Sequence, residues 1–137
     1  MENISKHITY HEATVSPTAL RMNIANDPNP EQLSNMKAVA ERCFEPLREW
    51  YGSPIKINSF FRCQQLNKAV GGAMTSQHTK GEAIDMSAGS RDGNKKLFDW
   101  CKANLIFDQL INEYDYSWVH ISFRRDGGNR NQTLGIV

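Results

Sequence analysis

Ser76-Gln77-His78-Thr79-Lys80-Gly81-Glu82-Ala83-Ile84-Asp85 and Trp118-Val119-His120 bring two imidazoles and one carboxylate, a ligand set that suits zinc. Three protein donors leave one position of a tetrahedral ion free, as needed where a metal holds a reactive water and does not merely staple a fold. His78 lies in a polar loop, and a turn at Lys80-Gly81 can carry the chain back so that Asp85, seven residues on, meets it. Asp85 could instead be a cap or a solvated strand residue. Yet Asp is disfavoured in strands, and here it sits mid-strand between apolar neighbours, a conflict that favours a site.

Such residues need a sheet to hold them. Residues 83–88 read as a strand with Ile84 and Met86 on one face and Ala83, Asp85 and Ser87 on the other. Residues 108–113 and 117–124 read as a hairpin. In its second strand Val119, Ile121 and Phe123 face the core, so Trp118, His120, Ser122 and Arg124 share the opposite face. With residues 114–117 as the loop, Glu113 lies opposite Trp118 and diagonal to His120, on the same face. A further strand over 54–61, in which Ile55 and Ile57 alternate with Lys56 and Asn58, ends at Arg62.

Helices must cover that sheet. Asn29 is a plausible cap before Pro30, and Leu33, Met36, Val39, Ala40, Cys43, Phe44, Leu47 and Trp50 recur at helical spacing up to a stop at Gly52. Pro46 should kink or divide this helix near Glu45, because it removes a backbone donor and crowds the preceding turn. A short helix over 64–70 stops at Gly71-Gly72, and another buries Leu97, Phe98 and Cys101. His7 and His11 are four apart, the spacing that presents two ligands on one helix face, but Ile8-Thr9-Tyr10 between them favours an extended chain and there is no H-E-x-x-H order. Residues 126–137, rich in Gly and Asn, read as a flexible tail without identifiable chemistry, and residues 1–28 as an N-terminal extension packed on the domain.

A length of 137 residues with 39% apolar residues suits one domain with one modest core. Sixteen Lys plus Arg against fifteen Asp plus Glu give no global field to recruit nucleic acid or an anionic membrane. No secretory signal is visible at the start, and no apolar run approaches membrane-spanning length, so synthesis in a cytoplasm without membrane insertion is expected. Cys43, Cys63 and Cys101 are odd in number and lack C-x-x-C spacing, which argues for free thiols, buried in the cases of Cys43 and Cys101.

The string from Ser76 to Asp85 resembles the S-x-H-x-x-G-x-A-x-D signature of the M15 zinc peptidases, the D-alanyl-D-alanine carboxypeptidase and L-alanyl-D-glutamate endopeptidase group. Trp118-Val119-His120 resembles the second signature of that family. Ser5-Lys6-His7, Asn26-Asp27-Pro28, Ser59-Phe60-Phe61-Arg62, Asn67-Lys68-Ala69-Val70-Gly71-Gly72 and Phe107-Asp108-Gln109-Leu110-Ile111 look like its short, phage- and prophage-associated branch. The resemblance implies a single α+β domain of the Hedgehog/DD-peptidase type, with a small, mostly antiparallel sheet and helices packed on it. It further implies one zinc ion held by His78, Asp85 and His120, and peptidoglycan stem peptides as substrate. Glu113 would be the general base and Arg62 the cation that stabilises an oxyanion or grips a substrate carboxylate. Ser76 would bind substrate or orient the His78 loop, and Trp118 would wall the cleft.

Many relatives place the base three residues before the last His, whereas Glu113 precedes His120 by seven, so Asp115 is a competitor. The favoured expectation is a peptidase cutting bonds that involve D-amino acids, endolysin-like or carboxypeptidase-like. It would reach the wall after release or delivery. The rival classes are a noncatalytic zinc-binding module that recognises wall peptides and a phage virion or assembly component that reuses the fold.

Overall fold

The structure, a computed structural model, describes residues 3–136. Met1, Glu2 and Val137, at the ends of the expected extension and tail, lie outside that range. A five-stranded sheet forms the frame: β1 Lys56–Ser59, β2 Ala83–Ser87, β3 Gln109–Glu113, β4 Trp118–Ser122 and β5 Gln132–Ile136, in the order β1-β2-β4-β3-β5. The first four are antiparallel neighbours and β5 runs parallel to β3. The register sets Asp85 directly across from His120, and His120 across from Ile111. Opposed residues share a face, so Asp85, His120, Ile111, Glu113 and Trp118 lie on one side of the sheet. On the other side Ile84, Met86, Leu110, Val119 and Ile121 are fully buried.

Helices close that apolar side. α1 spans Tyr10–Thr14, α2 Pro17–Arg21, α3 Pro30–Val39, α4 Glu45–Tyr51, α5 Gln64–Ala69 and α6 Arg91–Asn104. α6 lies against β3 and β4, and α3 against β2. The cap at Asn29 is a full capping box, its side chain accepting from Gln32 N–H while the Gln32 side chain accepts from Asn29 N–H. Between α3 and α4 the residues Ala40–Phe44 form a π-helical turn, in which Glu45 N–H donates to the Ala40 carbonyl. Pro46 has no N–H to give to the Arg42 carbonyl, and the widened turn just before it absorbs that loss. The expected division near Glu45 is therefore real, but the chain continues through it as helix.

Two segments depart from expectation. Residues 8–10 are not a simple extended run, because Thr9 and Glu12 form a capping box that starts α1 at Tyr10. His7 bonds Glu45 (Nδ1 to Oε1, 2.6 Å) and does not join His11 in a metal cluster. Residues 126–137 are not merely a tail, since they contain β5, which pairs with β3 from Gln109↔Gln132 to Glu113↔Ile136. All five of its residues are exposed, so no alternation of apolar and polar residues marked it as a strand. Cys43 and Cys101 are buried and free, and burial pushes the Cys43 thiol up to about 12. No helix among the described residues is long and apolar enough to cross a membrane.

Candidate metal centre

His78 sits on a 3-10 turn, Gln77–Lys80, whose start is tied by Ser76. The Ser76 hydroxyl accepts from His78 N–H at 3.3 Å, and its carbonyl accepts from the Thr79 hydroxyl at 2.7 Å. Gly81 ends the turn in the left-handed region at φ 76°. The loop is clamped to α3, because the Gln32 amide donates to the Thr79 carbonyl at 3.1 Å and the Asn35 amide to the Lys80 carbonyl at 3.0 Å. A Cβ on Gly81 would come within 2.5 Å of the Gln32 carbonyl oxygen. Gly81→Ala is therefore expected to cost about 2 kcal/mol through strain and collision, lowering Tm by about 5–10 °C. Displacement of His78 should weaken metal binding as well, measured by thermal unfolding and metal titration.

Asp85 lies between the two rings. Its Oδ1 is 2.8 Å from His120 Nδ1 and its Oδ2 3.2 Å from His78 Nε2, and the rings meet edge-on at 5.2 Å between centroids. One ligand atom from each residue lies within 4.8 Å of the others. His78 Nδ1 is 2.7 Å from the Phe60 carbonyl oxygen, an atom that can only accept, so the proton resides on Nδ1. That bond fixes the tautomer and turns the Nε2 lone pair toward a carboxylate oxygen. Two acceptors facing one another need a cation or a proton between them, and the site fits a metal ion for that reason. Burial would raise the pKa of Asp85, but positive charge set against it, from the imidazoles when protonated or from an ion in their place, outweighs burial and holds the carboxyl well below its usual range. Asp85 is thus a carboxylate suited to serve as a metal ligand.

The three residues open onto a cleft of about 740 Å³ that Arg62, Ser76, Glu113 and Trp118 also line. Glu113 stands across from Trp118 as the hairpin loop predicts. Its Oε2 accepts from the Trp118 indole N–H at 2.8 Å, and among the described residues Oε1 accepts from no group. The loop that follows has three left-handed residues in succession, Tyr114, Asp115 and Tyr116. Such backbone is costly for side chains with a Cβ and is held here by bonds from Tyr116 N–H to the Asn112 side chain (2.6 Å) and from the Asn94 amide to the Tyr116 carbonyl (2.8 Å). Asp115, the competitor for the base role, is exposed and occupied by a two-pronged pair with Arg91 at 3.0 Å. It does not line the cleft.

Arg62 is held by its backbone N–H, which donates to the His78 carbonyl at 3.2 Å. Its Nε is buried without a partner among the described residues. Burial lowers the pKa of the guanidinium and the nearby Asp85 and Glu113 pull it back up, leaving a cation with an unspent donor. Two features escaped sequence reasoning. The first is the grip of Trp118 on Glu113, which the predicted cross-strand pairing of an indole donor with a carboxylate could have disclosed. The second is a group of further cations on the cleft wall, Lys80, Arg124 and Arg130. Strand alternation already put Arg124 on the His120 face and Lys80 neighbours His78 in sequence, but the placement of Arg130 beside them depends on how the chain beyond β4 folds back.

No curated protein gives a significant match to the chain. The family model described as Peptidase M15 matches residues 6–122, from ahead of α1 to the end of β4. That range holds every residue of the His-Asp-His cluster together with Arg62 and Glu113. A match over most of the chain, on an α+β fold whose central strands place such a cluster in a cleft, shows that this chain belongs to the peptidase M15 family.

Proposed function

We propose that the protein is a zinc-dependent peptidase that hydrolyses bonds involving D-amino acids in the stem peptides of bacterial peptidoglycan. Acting as an endolysin-like endopeptidase or as a carboxypeptidase, it would reach the wall after release or delivery. The observation that carries this reading is the Asp85 carboxylate between two imidazoles in a cleft that also holds a free carboxylate oxygen and a cation. Zinc held by His78, Asp85 and His120 would polarise the scissile carbonyl and lower the pKa of a water.

Around that centre the side chains divide the work. Glu113 Oε1 takes the proton of the attacking water and returns it to the leaving amine, while Oε2 stays anchored to the Trp118 indole. Arg62 faces the same space and donates to the carbonyl oxygen as negative charge builds on it. Ser76 keeps the His78 turn in place. The Phe60 carbonyl keeps the His78 ring in one tautomer.

Metal analysis of the purified protein and mass analysis of defined muropeptides after digestion test the reading together. About one zinc per chain with cleavage of a peptide bond is expected. Zinc without cleavage would leave a noncatalytic wall-binding module. Arg62→Ala should keep its zinc and lose about 10²–10³-fold in kcat/KM. A fall confined to kcat assigns Arg62 to the oxyanion, whereas a rise confined to KM assigns it to a substrate carboxylate.

A further inference from the structure

We propose that Arg124 and Arg130 form a carboxylate-binding subsite at the end of the cleft away from Glu113. The substrates favoured would then be peptides with a free carboxylate within about four residues of the bond cut. For the bond itself this rests on the peptidase reading, but for binding it stands alone. Along the cleft face of β4 and β3 the order is Trp118 with Glu113, then His120 with Ile111, then Ser122 with Gln109. Arg124 comes next in that direction, four extended residues from His120, on the order of 13 Å along the chain. The cleft therefore has its acidic group at one end, the metal ligands in the middle and the two arginines at the other end.

Asp108 makes this arrangement a built one. Its carboxylate is fully buried at the foot of β3. It receives Arg130 Nε at 2.9 Å, Arg130 Nη2 at 2.8 Å and Arg130 N–H at 3.1 Å, so it sets both the loop after β4 and the Arg130 side chain. The Arg130 side chain stays 48% exposed. Arg124 Nε stands 3.5 Å from the same carboxylate, and among the described residues the Arg124 side chain donates no hydrogen bond. One carboxylate thus lies under two guanidiniums, one of them with its fork unspent. Lys80 adds a third cation on the rim. Four cations line the cleft against Asp85 and Glu113, and a bound metal would raise the positive balance further. A peptide carboxylate matches a free guanidinium fork through two parallel donors. Residues 124 and 130 lie beyond the range matched by the family model, which ends at residue 122.

The test is calorimetric binding to full-length Glu113→Gln protein, in which the peptides survive. The probes are a synthetic stem tetrapeptide and two singly amidated forms, one at the D-glutamyl α-carboxylate and one at the terminal D-alanyl carboxylate. One of the two amidations should weaken binding about tenfold, and adding Arg124→Gln should remove that difference while leaving Tm unchanged. Arg130→Lys, which keeps a charge above Asp108, should shrink the preference if Arg130 shares the carboxylate. A preference that persists in the Arg124→Gln protein, equal binding of all three peptides, or no binding of any would overturn the subsite. Selective binding by this protein combined with no muropeptide cleavage by the wild type would overturn the peptidase reading and leave the subsite standing.

Discussion

Asp85→Ala protein is expected to retain less than about a tenth of the zinc of the wild type after dialysis, and to lose muropeptide hydrolysis by at least about 10³-fold. The size of the effect follows from the place of Asp85 between the rings, at 2.8 Å and 3.2 Å from their nitrogens. It is the only charged member of the proposed ligand set, and positive charge beside it holds its carboxyl below the usual range. Alanine would leave two neutral donors facing a cation, beside the guanidinium of Arg62, with Glu113 the one acid left on the cleft wall among the described residues. Asp85→Asn, which keeps the shape and one acceptor, should recover folding but not metal. Wild-type protein stripped with a chelator should match the alanine variant in activity and regain it on adding zinc, which alanine cannot do. Elemental analysis and a cleavage assay on the same samples decide the matter, and full zinc occupancy in the alanine variant would sink the three-ligand site.

Glu113→Gln should behave in the opposite way, keeping about one zinc per chain while kcat falls by about 10²–10⁴-fold. Glutamine still accepts the Trp118 indole N–H through its carbonyl oxygen, so the 2.8 Å bond and the hairpin survive and Tm should barely move. What disappears is a basic oxygen in the cleft. The same bond bears on the proposed role of Glu113, which precedes His120 by seven residues in sequence. An antiparallel pair folds Glu113 back to stand opposite Trp118, so the spacing along the chain is not the spacing in space. Unchanged activity in this variant would leave the base role unassigned, with Asp115 a poor heir because Arg91 already holds it outside the cleft.

Much of the centre was legible because alternation along a strand is a local property. Asp85 between Ile84 and Met86, and His120 between Val119 and Ile121, can reach the cleft face only if their neighbours go to the core. A four-residue loop then decides the register of the hairpin, which is why the pairing of Glu113 with Trp118 could be read without coordinates. The turn at Lys80-Gly81 was legible for a similar reason, since a left-handed residue suits Gly. The start of α1 was misread because β-branched and aromatic neighbours around Thr9 were weighed above the Thr9–Glu12 capping box, a local signal that was present.

The residue types, their strand faces and the capacity to hold a metal were thus determined by the sequence alone, through periodicities of two and of three to four residues. Tertiary structure alone decided the rest. The Phe60 carbonyl that sets the His78 tautomer is eighteen residues from it. Gln32 reaches the Thr79 carbonyl across forty-seven residues, and Arg130 reaches Asp108 across twenty-two. β5 exists as a strand only because β3 offers it an open edge. These contacts form where loop closure happens to bring a donor to a buried acceptor, and a buried polar group must find its partner wherever the fold supplies one. No propensity or pattern within a short window carries that information.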